Sequence, residues 1–359
     1  MGKGGRRKQS TVPVEKWCTA ASSLHEIKAF PGLSTFYSPV EDYMKPANFI
    51  ETLFERARAF SWSIALAESE DPRVQTAARE LGVAGVCREI WMWGNPAHIG
   101  SIHERCHWTT IDIHEEGVYE ALRHRLAEKY PEAQLRMWAR SPLYQAVWLL
   151  SQGKVDSVLA GAVAPTSEVI RAGLHLLGVE AGLRTISGAF VLTREERRYI
   201  FSDCGVVIDP TAQQLVEIAA SAAKLCERVL QESPRVAFLS FSTHGSARHP
   251  FVEKVQEAVS LFRTQFPHIV CDGELQVDAA LDMGIRKKKA PASPLVQDAN
   301  VLIFPSLEAG NIGYKLVQRL GGFAAYGPIL LGFPKPLSDL SRGASPEEIV
   351  AAACINVLR

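Results

Sequence analysis

Apolar residues recur along this chain in two rhythms. From Asn48 onward, FIETLFERARAF carries apolar side chains at helical spacing, SIALAES reads as a short strand, and DPRVQTAARELG returns to helical spacing. Short apolar runs follow: VAGVCREIWMW, VDSVLAGAV, TISGAFVL, RVAFLSFS, HIVCDGE, NVLIFPS and GPILLGF. Most are separated by helix-length stretches such as SPLYQAVWLLSQG and TAQQLVEIAASAAKLCERVL. Strands buried on both faces read as unbroken apolar runs, so the alternation predicts an α/β fold with largely parallel sheets. In open sheets of this kind ligands collect at the carboxyl ends of strands, which makes the loops after them the first places to look. Before Asn48 the periodicity is lost. Basic residues mix there with Pro13, Pro31, Pro39 and Pro46, and residues 1–47 are expected to form an irregular arm.

Length and charge narrow the picture. At 359 residues the chain exceeds what one hydrophobic core usually supports, so two domains are expected, and 47% hydrophobic residues can fill both. Lys plus Arg and Asp plus Glu number 39 each, which leaves no long-range field for nucleic acid or an anionic membrane. An anionic ligand must therefore be met by local groups. Seven scattered cysteines with no CxxC pair suit a reducing compartment. VWLLSQGKVDSVLAGAV is broken by Lys154 and Asp156, and no other run is long enough to span a bilayer. MGKGGRRKQST lacks the apolar run of a signal peptide, and Arg6 spoils a myristoylation pattern at Gly2. The expectation is a cytoplasmic protein that engages neither membrane nor nucleic acid.

Candidate chemistry concentrates in the last third. SFSTHGSARHP follows a strand, and Ser240, Ser242, Thr243, Gly245 and Ser246 are small enough for backbone N–H groups to approach a phosphate; alone, the segment reads more readily as a glycine turn with a serine cap. In SRGASPEEIV, Ser341, Arg342 and Gly343 form a turn and Ser345 can cap a helix beginning Pro346-Glu347-Glu348. Read structurally, the two glutamates complement the helix dipole. Read chemically, an arginine for an anion, a hydroxyl donor and a carboxylate are the parts of acyl transfer to a thiol. Asp272, Glu274, Asp278 and Asp282 have oxygen ligands for a divalent cation, but their spacing fits solvated helix charge better. His103, Cys106 and His107 lack a second ligand pair at zinc spacing, and Cys204 lacks a histidine partner in sequence. The run from Arg286 to Lys289 reads as a solvated helix end.

Taken in order, DGELQVDAAL, NVLIFPSLEAGNIGYKLVQRLGG and LSDLSRGASPEEIV resemble the phosphotransacetylases, the phosphate acetyl/butyryl transferase family. FIETLFERARAF, VDSVLAGAVAPTSEVIRAG and FSDCGVVIDPTAQQLVEIA carry the likeness back to about Phe49. The resemblance implies two doubly wound α/β domains with a cleft between them, in the isocitrate and isopropylmalate dehydrogenase fold group. A discontinuous first domain would cover residues 48–180 and 331–359. The second, over 181–330, would supply a homodimer interface. It implies reversible attack of the coenzyme A thiol on the acetyl carbonyl of acetyl phosphate, releasing phosphate. Coenzyme A and acetyl-CoA act there as substrates, with no tightly bound cofactor and no metal. Carried over residue by residue, it makes Ser341 the oxyanion donor, Arg342 the anion grip and Glu348 the base at a position where the family usually has aspartate. Arg171 becomes a second phosphate ligand and Arg123 a further substrate arginine, with Arg125 open as its substitute; Ala164 departs from a family histidine. The alternatives are a phosphate propanoyl- or butanoyltransferase, a noncatalytic binding or oligomerisation module of the same fold, and a metal-dependent nicotinamide dehydrogenase built around Asp278.

Overall fold

Phe49, Leu53 and Ala57 fall on one face of helix α1 (Phe49–Arg58) and are buried together. In chain order there follow β1 (Ser63–Leu66), α2 (Pro72–Val83), β2 (Glu89–Trp93), β3 (Cys106–Thr109), α3 (Ile111–Leu126), α4 (Glu132–Ala139), α5 (Pro142–Ser151), β4 (Ser157–Ala160), α6 (Thr166–Leu176), β5 (Ser187–Arg194) and β6 (Arg197–Ser202). Then come α7 (Ala212–Leu225), β7 (Arg235–Leu239), α8 (Pro250–Gln265), β8 (Val270–Leu275), α9 (Val277–Leu281), α10 (Met283–Lys289), β9 (Val301–Ile303), α11 (Leu307–Arg319), β10 (Ala324–Leu331), β11 (Leu337–Asp339) and α12 (Pro346–Leu358). This computed structural model describes residues 49–94, 103–109 and 111–359, so the arm expected over 1–47 lies outside the described residues.

The strands form two sheets. The first has the order β11-β4-β1-β2-β3 and every pairing in it is parallel. β1 and β4 read SIAL and SVLA with every residue buried, as strands covered on both faces must. The second sheet runs β10-β5-β6-β9-β7-β8. Its β6, β9, β7 and β8 are parallel to one another, while β5 pairs antiparallel with both β6 and β10. Arg194 and Arg197 face each other across a two-residue turn, too short for the crossover a parallel neighbour needs. The strands β3 and β11, four and three residues long, and β6, which opens on two arginines, are the ones whose apolar runs are too short to read from the chain.

Helix α12 ties this frame to the loops at its end. Ile349, Val350, Ala351, Ala352, Ala353, Cys354, Ile355 and Leu358 are all buried, and each large aliphatic among them contributes about 1.5–3 kcal/mol when removed from water. Asn356 fixes its register: the side-chain amide donates to Ser157 Oγ at 2.7 Å, Val158 O at 3.1 Å and Pro336 O at 3.2 Å, and its Oδ1 accepts from the Ser338 hydroxyl at 2.7 Å. With every polar atom satisfied, the buried amide locks α12 against β4 and β11. The amino end of α12 therefore arrives at a set position beside the carboxyl end of β11.

Candidate active site

Three neighbouring strands, β11, β4 and β1, end side by side, and their following loops are joined by two side chains. Glu68, just after β1, accepts from the Ala162 and Ala164 N–H groups, each at 2.6 Å, and so shapes the loop after β4. Arg73, in the first turn of α2, donates to Ala162 O at 3.0 Å, Arg342 O at 2.7 Å and Ala344 O at 3.1 Å. Asp71 caps α2 and orients that guanidinium at 2.7 and 3.0 Å; the pair holds the Asp71 carboxyl below its ordinary range and the Arg73 guanidinium above its own. The Ser341–Ala344 turn is thus fastened by its backbone carbonyls, with Ala344 packed into the core and Ser341 and Arg342 left outward.

Ser341 and Arg342 are exposed on that turn. The Ser341 hydroxyl takes only a long bond, 3.3 Å, from Gly343 N–H. The Arg342 guanidinium has no hydrogen-bond partner among the described residues. Immediately beyond it α12 begins with a full capping box: Ser345 Oγ accepts from Glu348 N–H, and Glu348 Oε2 accepts from Ser345 N–H at 2.9 Å. The hydroxyl of Ser345 donates to Glu347 at 2.6 Å and lowers the pKa of that exposed carboxylate. Both the structural and the chemical reading of Glu348 are therefore open to one side chain, with Oε2 spent on the cap.

The expected arginines divide. Arg171 is exposed on α6 and uncommitted among the described residues; its charge favours the neutral form of His175 and the ionised form of Tyr144, although burial dominates both shifts. Arg123 pairs with Glu120 at 2.7 Å on the outer face of α3, and Arg125 donates to His175 O at 3.2 Å near the carboxyl end of α6. Thr166, at the amino end of that helix, donates to Asp339 at 2.5 Å. Arg125 thus meets α6 at His175, nine residues and about 14 Å along the axis from Thr166. Ser341 and Arg342 share one turn and Glu348 is the third residue of the helix that follows it, while Arg171 lies five residues along α6 from Thr166 and Arg125 meets that helix nine residues along.

Some of the other expectations change. The Ser-rich loop after β7 is already filled by an anion of the chain itself: Glu274 Oε1 accepts from Gly245 N–H at 2.6 Å and the Ser242 hydroxyl at 2.9 Å, and Oε2 from Gln256 at 3.0 Å. Asp272 pairs with Arg263 at 2.9 Å, Asp278 with Lys289 at 2.6 Å, and Asp282 caps α10. No group of three His, Cys, Asp or Glu among the described residues can hold a metal ion. Arg286 is no solvated helix end: it is 2% exposed and donates to the carbonyls of Ala279, Ala280, Leu295 and Gln297, because the chain folds back over it. Cys204 is fully buried and burial pushes its thiol well above the ordinary range, which makes it inert. Glu68, Arg73 and Asp339 escaped notice in sequence. The DPR start of α2 marks Asp71 as a cap but carries no sign that Arg73 reaches the far end of the chain.

An exposed arginine with no partner among the described residues, beside a serine hydroxyl on a turn pinned at the carboxyl ends of a parallel sheet, has the donors that acyl- and phosphoryl-transferring α/β enzymes need. The sequence profile described as phosphate acetyl/butaryl transferase matches residues 48–357. The phosphate acetyltransferase of Paracoccus denitrificans is 42% identical over 332 residues, covering 88% of this chain and 99% of the relative. That of Treponema pallidum is 40% identical, covering 87% and 98%. Among solved structures, a phosphotransacetylase from Streptococcus pyogenes superposes with TM-score 0.78 at 34% identity, over 88% of this chain and 98% of its own. The chain belongs to the phosphate acetyl/butaryl transferase family.

Proposed function

We propose that the protein is a phosphate acetyltransferase, catalysing acetyl-CoA + phosphate = acetyl phosphate + CoA. The observation that carries the reading is the Ser341–Arg342 turn, which Arg73 holds by its carbonyls while the Arg342 guanidinium has no partner among the described residues; the relatives named above support acetyl as the group transferred. Arg342 and Arg171 grip the phosphate oxygens, a task suited to forked donors. The thiol sulfur attacks the acetyl carbonyl, the C–S bond forms, and the Ser341 hydroxyl donates to the oxyanion, a contribution of about 3 kcal/mol in comparable sites. The C–O bond to phosphate then breaks and phosphate leaves with the electron pair. Glu348 takes the thiol proton on its Oε1, since Oε2 serves the cap. Arg123, engaged by Glu120, would contribute only by exchanging that partner for substrate.

The same reading makes 48–180 with 331–359 one domain around the first sheet and 181–330 the other. It also makes the protein a cytoplasmic homodimer. Ile312, Leu316 and Leu320 support the dimer: they lie at four-residue spacing along α11 and just past it, 52%, 52% and 82% exposed. No helix among the described residues is long and apolar enough to cross a membrane.

A coupled thiol assay with acetyl, propanoyl and butanoyl phosphate, run on wild type, Glu348→Asp and Glu348→Gln, tests the proposal. Acetyl phosphate should be the best substrate, and Glu348→Gln should lose roughly 10²-fold or more in kcat. An unchanged rate in Glu348→Gln removes that residue from the chemistry. Failure of all three substrates with wild type removes the activity.

A further inference from the structure

Beneath the Ser341–Arg342 turn lies a carboxyl group that this chemistry does not use. Asp339 ends β11 and is 1% exposed. Its Oδ2 accepts from the Thr166 hydroxyl, and its Oδ1 is buried with no hydrogen-bond partner. The Leu340 N–H favours the charged form yet stands outside hydrogen-bond geometry. Gly161 closes over the group: a Cβ at that position would stand 1.9 Å from Oδ1.

Two charges act on it directly, Glu68 against ionisation and Arg342 in favour. Farther out, Arg73 is neutralised by Asp71, Glu168 and Arg171 are carried by α6, and Glu347 and Glu348 are tied to the cap of α12. Burial, outweighing the Thr166 bond, raises Asp339 to about 7. The one guanidinium that favours its ionised form, behind the Thr166 and Leu340 contributions, is thus the one an incoming anion would take.

We propose that Asp339 is the buried counter-charge of Arg342 and takes up a proton when a phosphate-like dianion settles on that guanidinium. This rests on Arg342 being the anion ligand. The dianion cancels the attraction that Arg342 adds to the Thr166 and Leu340 contributions and brings repulsion of its own, which shifts Asp339 toward the neutral acid. By linkage, proton uptake on binding weakens the binding as pH rises past neutrality, by at most about tenfold per pH unit. Asp339 acts through Arg342 and is a positioning residue, not one that meets the substrate.

Inorganic sulfate is the probe, because it has no proton of its own to gain or lose near neutrality. Calorimetric titration at about pH 7.5, in two buffers of different ionisation heat, counts protons taken up per sulfate. Wild type should take up a measurable fraction of a proton, and Asp339→Asn close to none. Thr166→Val, which removes a bond favouring the ionised form, should move the uptake to higher pH. Undiminished uptake in Asp339→Asn overturns the proposal, as does sulfate binding by wild type without uptake between about pH 6.5 and 8.5. Arg342→Gln separates the two claims. Sulfate held as tightly by that variant defeats Arg342 as the anion ligand and Asp339 with it; sulfate lost by that variant, with no uptake in wild type, defeats Asp339 alone.

Discussion

Asp339 is a group whose effect on folding changes with pH, and the direction follows from which state holds the proton. Burial raises its pKa from 3.8 to about 7 in the folded chain. Between these values the folded state binds more protons than the unfolded, so stability falls as pH rises through that window. The penalty is absent below 3.8 and complete above about 7, where it approaches 4 kcal/mol at about 1.4 kcal/mol per unit. Asparagine has the same shape and no charge to bury. In urea melts, Asp339→Asn should therefore gain on wild type by about 3 kcal/mol between pH 5 and pH 8; a difference constant across that range would show that Asp339 does not titrate there. None of this is written in LSDLSRG. The string says that an aspartate closes a strand, not that one of its oxygens faces a glycine and has no partner.

Arg73 matters at the scale of the three loops it joins. One guanidinium holds the carbonyls of Ala162, Arg342 and Ala344, drawn from loops nearly two hundred residues apart in sequence. Arg73→Ala should lower kcat by roughly 10²-fold, because a displacement of about 1 Å at a reacting group costs that much, while lowering stability by only about 2 kcal/mol. A steady-state assay beside a thermal melt checks the pair of effects, and a rate within twofold of wild type would deny Arg73 its positioning role. At this scale the chain is legible where periodicity is long: α1, α2, α5 and the buried strands stand where the apolar pattern puts them. It is less so where an element is short or where partners come from afar. β3 and β11 have too few residues to show a rhythm, and the Ser345–Glu348 box was readable because both partners sit within four positions.

Over the whole molecule, the exposed stripe of Ile312, Leu316 and Leu320 is an apolar surface that a second copy of the chain would cover. Leu316→Glu should shift sedimentation from dimer to monomer at micromolar concentration with the α/β circular dichroism spectrum retained; a dimer that persists moves the interface elsewhere. The balance of charge also plays out over the entire fold. A chain with equal numbers of acids and bases has an internal anion for many of its own cation and N–H sites, and so sequence motifs overstate how many of those sites await a ligand. The Ser-rich loop after β7 has the amide groups of a phosphate cradle, but Glu274 sits in it. Being tethered, that carboxylate competes at an effective concentration of millimolar or above, present before any solute arrives. Phosphate added to the protein would have to displace Glu274 there, whereas the proposed ligand Arg342 has no such tethered rival among the described residues.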